Sequence, residues 1–363
     1  MNLFPSVEKA YAHDRLSAPE AQRLAQYIAF GPFIFQCSRL MLKFGILERL
    51  RDRPMTIGEI AREAGISEYG AKVLTEASLS IGTVLIDPET DRYSLSKAGW
   101  FLLTDTSTRV NLDFVHDVNY EGFFHLEEAI KEGRPAGLAH FGSWPTVYEA
   151  LSSLPPQVQK SWFAFDHFYS DHSFDEALRI VFAFQPKWIM DVGGNTGRWA
   201  LRCVDYNPDV RVTVVDLPQQ LKMMREQTAG HNGADRIDGH AMNLLNPADR
   251  FPESFRPDII WMSQFLDCFS EPEILSILQR AREVMTPQSR LCIMETFWDR
   301  QRFEPASLCL TMTSLYFTAI ANGNSKMYHS DDMARLVNQA GLDVETIHDG
   351  LGRGHSIMIC KTK

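Results

Sequence analysis

The second half of the sequence predicts an α/β fold with a largely parallel sheet. From about residue 186 onward, seven short runs rich in β-forming residues follow one another, and helical segments separate the first six. Such alternation favours a parallel sheet with helices on both faces. The last two runs are joined only by residues 350–354, which is too short for a crossover, so the final strand should return antiparallel. The runs are WIMDV, VTVVDL, RIDGHAM, PDIIWMS, RLCIMET, DVETIHD and HSIMICK.

The first half of the sequence has a different, mainly helical pattern. Residues 24–50 carry more apolar side chains than one helix face can bury in a monomer, so this helix should pack in a large core or against a partner. Thr56 and Glu59 are spaced as a capping box before a short helix. A second helix follows, and then two short strands around the turn at residues 87–90, which together predict a winged helix. The predicted domains are therefore residues 1–155 and 156–363.

A winged helix often binds DNA, but the charge of this one argues against that function. Residues 1–110 contain 13 Lys and Arg and 13 Asp and Glu, so their net charge is zero. Binding to phosphates needs a basic face, and the second helix offers only Lys72 between two glutamates. Dimerisation or scaffolding is the favoured role. The net charge of −10 for the whole chain also disfavours nucleic acid and anionic membranes as partners.

The remaining bulk properties predict a globular protein of the cytoplasm. The 363 residues have ordinary globular composition, with 45% hydrophobic and 23% charged residues. No apolar run approaches the ~18 residues that a membrane span needs. The first residues lack the basic and apolar regions of a secretion leader. Six scattered cysteines without a C-x-x-C pair suggest a reducing compartment.

The main functional motif is the glycine-rich turn after the first strand of the sheet. Asp191 lies near the end of that strand, Gly193 and Gly194 follow, and a helix begins near Arg198. Glycine lets a ligand approach the backbone closely, and a helix N-terminus supplies free N–H groups. The next strand ends in Asp216, about twenty residues past the glycines, where a carboxylate can bind both ribose hydroxyls. The turn predicts an adenosine-bearing cofactor; the alternative is a set of glycines that only tightens the strand–helix connection.

Two features favour S-adenosylmethionine over NAD. The glycine spacing G-G-x-x-G departs from G-x-G-x-x-G, and a dinucleotide-binding domain lacks the antiparallel ending. MDVGGNTG and VTVVDLP resemble the VDVGGGTG and VVFDLP of S-adenosylmethionine-dependent O-methyltransferases with an N-terminal dimerisation domain, such as caffeate- and polyketide-type enzymes. The resemblance runs from about residue 25 to the end. It implies a Rossmann-like class I methyltransferase fold, a homodimer formed through the N-terminal domain and a small-molecule acceptor, with Gly193 at the cofactor and Asp216 on its ribose.

The resemblance also implies further cofactor-binding residues. Asn243 and Leu244 fall where the family has a pair that flanks the adenine, and an Asn oxygen can face the adenine amino group. Ser263 falls near the sulfonium end of the cofactor, and Ser173 matches a serine that holds its carboxylate. The full expected set is Asp191, Gly193, Gly194, Asp216, Leu217, Asn243, Leu244, Ser263 and Ser173.

Residues of the acceptor pocket are expected just before Ser173 and late in the chain. Phe165 and Tyr169 match residues that wall this pocket in the family, and Met312 is a further candidate, although such residues at helical spacing also occur as plain core. His167 and His172 are five residues apart, but no third ligand follows at a recognisable spacing. No metal is therefore expected.

The catalytic positions depart from the family pattern. The family carries His-Asp-Trp after the fourth strand, where the histidine takes a proton from the acceptor hydroxyl; Asp267 stands at that histidine position. Glu295 matches the first of two acids that support the histidine, and the second falls at Met327. An Asp with its usual pKa of ~3.9 is a poor base for a phenol of pKa ~10, but burial and the charge of Glu295 would raise it. The expected catalytic residues are Asp267, as base or orienting group, and Glu295.

Other interpretations of the altered histidine position stay open. The acceptor could already be acidic, such as a carboxylate or an activated phenol. The change also fits decarboxylation or hydroxylation, which some relatives perform, or a non-catalytic winged-helix regulator. Asp267 could instead act at the start of the next helix, although Ser270 and Glu273 give that helix its own capping box.

Overall fold

The computed structural model describes residues 3–363, except for the side chains of residues 169–171. The chain forms two compact units. The smaller unit consists of residues 14–118 and 160–165, and the larger unit contains the rest of the described chain. The two units are interleaved along the sequence, and the division into domains at residue 155 stays a prediction.

The first part of the chain is helical apart from one hairpin. The first helix belongs to the larger unit and the remaining elements to the smaller one. In chain order they are α1 (Pro5–Tyr11), α2 (Ala18–Ala29), α3 (Gly31–Lys43), α4 (Ile46–Asp52), α5 (Ile57–Ala64), α6 (Glu68–Ile81), β1 (Val84–Asp87), β2 (Arg92–Leu95), α7 (Lys97–Thr104) and α8 (Thr106–Phe114).

The apolar stretch at residues 24–50 spans three helices, so the prediction of a single helix was wrong. Pro32 lies in the first turn of α3, and Gly45 adopts a φ of 65° directly before α4. Proline lacks the N–H that a continuing helix would bond, and left-handed φ values favour glycine. Within the single chain, Ile28 and Phe33 remain 73% and 72% exposed. This part of the stretch therefore lacks a core to bury it.

The winged-helix prediction is confirmed. The Glu59 carboxylate accepts the N–H of Thr56 at 2.8 Å, and the Thr56 hydroxyl accepts the N–H of Glu59 at 3.4 Å, which is the expected capping box at the start of α5. Strands β1 and β2 pair antiparallel after α6. The Asp87 carboxylate caps their turn by accepting the N–H of Glu89 at 3.0 Å.

The second part of the chain builds the sheet of the larger unit. Its helices and strands, in chain order, are α9 (Leu126–Glu132), α10 (Val147–Ala150), α11 (Pro156–Ser170), α12 (Phe174–Phe182), β3 (Trp188–Val192), α13 (Arg198–Tyr206), β4 (Arg211–Asp216), α14 (Pro218–Thr228), β5 (Ile237–Ala241), β6 (Ile259–Ser263), α15 (Glu271–Glu283), β7 (Arg290–Glu295), α16 (Glu304–Tyr316), α17 (Ser330–Gln339), β8 (Leu342–Leu351) and β9 (His355–Thr362).

The sheet has seven strands in the order β5-β4-β3-β6-β7-β9-β8. Strands β3 to β7 pair in parallel, and β9 pairs antiparallel with both β7 and β8. All seven predicted strands and the antiparallel last strand are confirmed. The carboxyl ends of β3, β4, β6 and β7 consequently meet at one edge of the sheet.

One predicted helix is missing from this sheet. The described chain between β5 and β6 contains turns but no helix, so the prediction that helices separate all of the first six strands was wrong. Arg280 of α15 donates to the carbonyl oxygens of Leu244, Asn246 and Asp249 at 2.6 to 3.2 Å. This guanidinium satisfies backbone groups that a helix would otherwise bond internally.

The core lies on both faces of the sheet. Along β6, Ile260 and Met262 pack into the cluster on one face, and Ile259 and Trp261 pack into the cluster on the other. The Trp261 ring stacks on Trp199 of α13 with 4.2 Å between ring centroids. Burial on both faces explains the continuous apolar run of this strand. None of the helices in the described part of the chain has the length and apolar character needed to cross a bilayer.

Candidate active site

The glycine turn after β3 is closely packed. The N–H of Gly193 donates to the carbonyl of Val215 at 2.9 Å, and Gly193 adopts a φ of 76°. A Cβ at Gly193 would collide with the ring of Phe265, and a Cβ at Gly194 would collide with the carboxyl group of Asp191. Both positions therefore exclude side chains. Glycine is required at both positions by this packing.

Asp216 ties the end of β4 to this turn. Its Oδ2 accepts the N–H of Asn195 at 2.9 Å, and its Oδ1 accepts the N–H of Leu217 at 2.7 Å. Each carboxylate oxygen keeps a second lone pair for a ligand hydroxyl. Leu217 is the N-cap residue of α14, and it is exposed. The turn and the acid that were expected to hold the ribose are thus in direct contact.

Asp191 lies beneath the turn as a buried acid. Its side chain is only 2% exposed, and Oδ2 has no hydrogen-bond partner among the described residues. Burial, and secondarily the negative charge of Asp216, raise the pKa of Asp191 to about 8. The group is therefore mostly protonated at neutral pH. An orphaned acid at this point has hydrogen-bonding capacity left for a bound molecule.

The expected adenine-flanking pair lies in the turn after β5. Asn243 already uses Oδ1 to accept the N–H of Leu245 at 3.0 Å. Leu244 has its side chain packed in the core and only 7% exposed. One lone pair of Oδ1 and the amide nitrogen of Asn243 remain for a ligand. The role of this pair in binding adenine stays a prediction.

Ser263 is the last residue of β6 and is half-buried. The next residue, Gln264, adopts a φ of 44°, which is rare for a residue with a side chain. Its N–H donates to the carbonyl of Met294 at 2.9 Å, and its buried Oε1 has no partner among the described residues. Backbone strain of this kind persists where the surrounding structure enforces it, and it often marks a functional site. The sequence analysis did not single out Gln264.

Ser173 is buried beside the last strand. Its hydroxyl shares a hydrogen bond of 2.9 Å with Nδ1 of His355. Burial lowers the pKa of His355 to about 4, so its ring is neutral at pH 7. Nε2 of this histidine has no partner among the described residues. Binding of the cofactor carboxylate by Ser173 stays a prediction.

Asp267 lies in a short 3₁₀ turn, Leu266–Cys268, directly after β6. Its side chain is 7% exposed. Burial and then the charge of Asp166 raise the pKa of Asp267 to about 7, while the Cys268 thiol opposes that shift by donating to Oδ1 at 3.5 Å. The sequence analysis expected a raised pKa, and the structure provides it. A carboxylate with this pKa is half ionised near neutrality.

Glu295 ends β7 and lies beside the same turn. Its Oε1 accepts the N–H of Phe265 at 3.1 Å and the N–H of Leu266 at 2.9 Å, whereas its buried Oε2 has no partner among the described residues. Burial and then the charge of Asp267 raise the pKa of Glu295 well above its usual range. The fold therefore brings the two expected catalytic acids together, and Glu295 holds its proton more firmly than Asp267.

The structure does not bring the expected residues of the acceptor pocket together as it does the two acids. The ring of Phe165 stacks on Phe114 at 3.9 Å within the smaller unit. Met312 lies on α16 and is 52% exposed. The side chain of Tyr169 lies outside the described residues. Met327, at the position of the family's second acid, is buried and accepts a weak hydrogen bond of 3.7 Å from Thr296 through its sulfur, so it adds no charge.

Two further side chains near Asp267 were missed in the sequence. Cys268 donates its thiol to Asp267, and the hydroxyl of Tyr148 on α10 hydrogen-bonds to Cys268. Cys268 was one of six scattered cysteines, and Tyr148 belongs to a segment without a motif. No sequence pattern placed either of them beside Asp267.

Comparison with known proteins identifies the family. The model of the Dimerisation2-like domain matches residues 22–93, and the model of the O-methyltransferase domain matches residues 123–343, which is more than half of the chain. The chain belongs to the O-methyltransferase family. Methyl transfer from S-adenosylmethionine to oxygen is therefore its reaction, and the match favours this reaction over decarboxylation, hydroxylation or a regulatory role.

Individual relatives are distant but span nearly the full length. The mitomycin biosynthesis 6-O-methyltransferase of Streptomyces lavendulae is 21% identical over 334 residues, which cover 90% of each chain. The crystal structure of the S-adenosylmethionine-dependent methyltransferase SibL superposes with a TM-score of 0.69 at 22% identity, covering 93% of this chain and 98% of that one. The O-methyltransferase NcsB1 from neocarzinostatin biosynthesis, solved with S-adenosylmethionine and 2-hydroxy-5-methyl naphthoic acid, gives 0.64 at 19% identity, covering 91% and 96%.

The residues of this O-methyltransferase fit S-adenosylmethionine. The turn at Gly193 and Gly194 admits no side chain, Asp216 has free lone pairs, and the buried oxygens of Asp191 and Gln264 lack partners within the described chain. When bound, the cofactor supplies an electrophilic methyl group at this edge of the sheet. Over the described residues, no group of three or more His, Cys, Asp or Glu side chains could hold a metal ion.

Proposed function

We propose that the enzyme methylates a hydroxyl group of a small aromatic acceptor and that Asp267 is the base. The observation that carries this proposal is the position of Asp267, buried at the carboxyl end of β6 beside Glu295, with a pKa of about 7. An ordinary aspartate is too weak a base for a phenol. The altered environment reduces the pKa gap to a phenol from about 6 units to about 3.

The proposed division of labour gives each acid one role. Asp267 in its ionised form would accept the proton of the acceptor hydroxyl, and bound S-adenosylmethionine would supply the methyl group to that oxygen and leave as S-adenosylhomocysteine. Glu295 remains protonated and fixes the turn that carries Asp267 through the N–H groups of Phe265 and Leu266. Much of the rate comes from alignment of oxygen and methyl, and a base typically adds ~10²- to 10⁴-fold.

An aromatic acceptor is supported by the relatives. The solved complex of NcsB1 holds a hydroxynaphthoic acid. Phe165 and Met312 are proposed as walls of the acceptor pocket, together with Tyr169. The nine cofactor-binding residues expected from the sequence are proposed to hold S-adenosylmethionine, because the turn, Asp191 and Asp216 have the geometry described above.

We also propose a homodimer formed through the N-terminal domain and located in the cytoplasm. The family match at residues 22–93 and the exposed Ile28 and Phe33 support the dimer, and six free thiols support a reducing compartment. Light scattering of the purified protein should give twice the mass of one chain. A monomer at micromolar concentration would rule the dimer out.

The test of the activity uses S-adenosylmethionine labelled in its methyl group. The purified protein is incubated with a panel of phenols, aromatic carboxylic acids and anilines, and S-adenosylhomocysteine and labelled product are both quantified. We expect label on a phenolic oxygen of at least one acceptor. Label only on carboxylates or nitrogen would overturn the assignment of the acceptor group.

A further inference from the structure

Asp267 is surrounded by groups that are acidic or neutral. Three groups interact with its charge from other elements: Asp166 of α11, Glu295 of β7 and Tyr148 of α10. Cys268 is its neighbour in the 3₁₀ turn, and the charge of Asp267 also raises the pKa of Tyr328. Among the described residues, no Lys, Arg or His contributes to the pKa shifts of Asp267 and Glu295. A lone buried carboxylate in such a setting is costly to ionise.

The only side chain that donates a hydrogen bond to Asp267 is the thiol of Cys268, judged over the described residues. Its Sγ lies 3.5 Å from Oδ1 of Asp267. The main chain of Cys268 is fixed separately, because Asn322 donates from Nδ2 to its carbonyl at 2.7 Å. The backbone that carries the thiol is therefore held in place.

Tyr148 lies near the same thiol. The Tyr148 residue is 37% exposed as a whole, yet burial of its hydroxyl, and to a lesser degree hydrogen bonding with Cys268, raises the pKa of Tyr148. The same hydrogen bonding lowers the pKa of Cys268, whose thiol donates to the carboxylate of Asp267. A group that accepts one hydrogen bond becomes a stronger donor in the next, so the two bonds support each other.

Cys268 also removes a conflict that the family's usual residue would create. The family triplet His-Asp-Trp has an aspartate directly after the base, and here the base itself is an aspartate. Two adjacent carboxylates beside Glu295 and Asp166 would repel one another. A thiol at position 268 adds no charge and supplies a donor in place of an acceptor.

We propose that Cys268, supported by Tyr148, is the positioning residue of the base: its thiol holds Oδ1 of Asp267 and leaves Oδ2 free for the acceptor hydroxyl. This inference rests on the proposed function of Asp267. It assigns the orientation of the base to a hydrogen-bonded chain, Tyr148–Cys268–Asp267, in place of the two supporting acids that serve a histidine in the family.

The test compares Cys268→Ala, Cys268→Ser and Tyr148→Phe by the pH profile of kcat/KM. Loss of the thiol donor disfavours the ionised form of Asp267, so in Cys268→Ala the acid limb should move to higher pH and turnover near pH 7 should fall about tenfold. Cys268→Ser, which keeps a donor, should stay within about twofold of the wild type. Tyr148→Phe should move the limb in the same direction as Cys268→Ala, but less, with KM for S-adenosylmethionine unchanged.

Cys37→Ala, in the core of the smaller unit, is the matched control and should leave the profile unchanged. If Cys268→Ala superposes on the wild type, or if Cys268→Ser behaves as Cys268→Ala does, the proposal is wrong. A general loss of fold would be seen as loss of S-adenosylhomocysteine binding, and the serine variant then decides the question.

A second measurement does not depend on turnover. Alkylation of Cys268 by iodoacetamide, followed by peptide mass spectrometry, reports the acidity of its thiol. Burial and then the charge of Asp267 raise the pKa of Cys268. Asp267→Asn removes the second of these causes, so it should speed alkylation at fixed pH. Equal rates would disprove the contact. If the wild type methylates no acceptor, the proposed function fails, and alkylation still tests the contact between Cys268 and Asp267.

Discussion

Two pairs of acids lie at the same edge of the sheet and are held in different ways. The first pair is Asp191 and Asp216, which lie at the ends of β3 and β4. In the second pair, Asp267 follows β6 and Glu295 is the last residue of β7. In each pair, the backbone N–H groups of two other residues bind one carboxyl group, and among the described residues the other carboxyl group receives none from another residue. The N–H donors bind Asp216 in the first pair and Glu295 in the second.

The two pairs differ in the surroundings of the acid that is not bound by the backbone of other residues, which is Asp191 in the first pair and Asp267 in the second. Asp191 is locked under the glycine turn, with a pKa of about 8. Asp267 has a pKa of about 7 and a thiol as its donor. The first pair is tied to the glycine turn that is proposed to hold the cofactor. In the second pair, Asp267 receives a side-chain donor, which suits the proton transfer proposed for it.

The largest effect is expected from removing the proton acceptor of the second pair. In Asp267→Asn the shape is kept but the base is lost, so turnover should fall by at least about tenfold and up to ~10⁴-fold. Calorimetric affinity for S-adenosylhomocysteine should not change. Asp238→Asn, an exposed acid on β5, is the control. Unchanged turnover in Asp267→Asn would show that the second pair does not act on a proton.

A smaller loss, in binding rather than chemistry, is expected from the first pair. In Gly193→Ala a Cβ would meet the ring of Phe265, at a φ of 76° that alanine tolerates poorly. We expect affinity for S-adenosylhomocysteine to fall by roughly tenfold or more, corresponding to ~1–2 kcal/mol of backbone strain. Gly230→Ala, with a similar φ of 76° but nothing near its Cβ, is the matched control for strain alone. Equal affinities for the two variants would mean that the close packing at Gly193 is unimportant.

The third expected effect is a change of stability with pH. The pKa of Asp191, about 8, lies above its ordinary value of 3.8, so the folded state keeps a proton that the unfolded chain releases. Stability attributable to this group is full below about pH 4 and is lost as pH rises towards 8. Asp191→Asn cannot ionise, so its melting temperature relative to wild type should increase between pH 4 and pH 8. A constant difference across that range would contradict the raised pKa.

The first pair could be read from the sequence because its geometry is local. Glycines directly after a strand and an acid at the end of the next strand specify a turn and its partner, and the seven strands followed from their apolar runs. Two expectations failed, for different reasons. Arg280, distant in sequence, bonds the backbone between β5 and β6, where a helix was expected. Residues 24–50 break at Pro32 and Gly45, which are local signals that the single-helix prediction overlooked.

The second pair, Asp267 and Glu295, could be predicted only in part from the sequence. The resemblance put Asp267 and Glu295 at catalytic positions, but their pKa values follow from burial, which sequence spacing does not give. Gln264, Cys268 and Tyr148 carried no pattern at all. Tyr148 is more than a hundred residues away from Cys268 in the chain, so only the fold brings its hydroxyl to the thiol.

The sequence by itself therefore determined the sheet, the cofactor turn and the family, because strand periodicity and glycine spacing are properties of neighbouring residues. The tertiary structure alone decided the protonation of the acids and the donor that Asp267 receives. Desolvation and hydrogen bonding depend on every element packed around a group, and four of those elements, α10, α11, the 3₁₀ turn and β7, meet only in the folded chain.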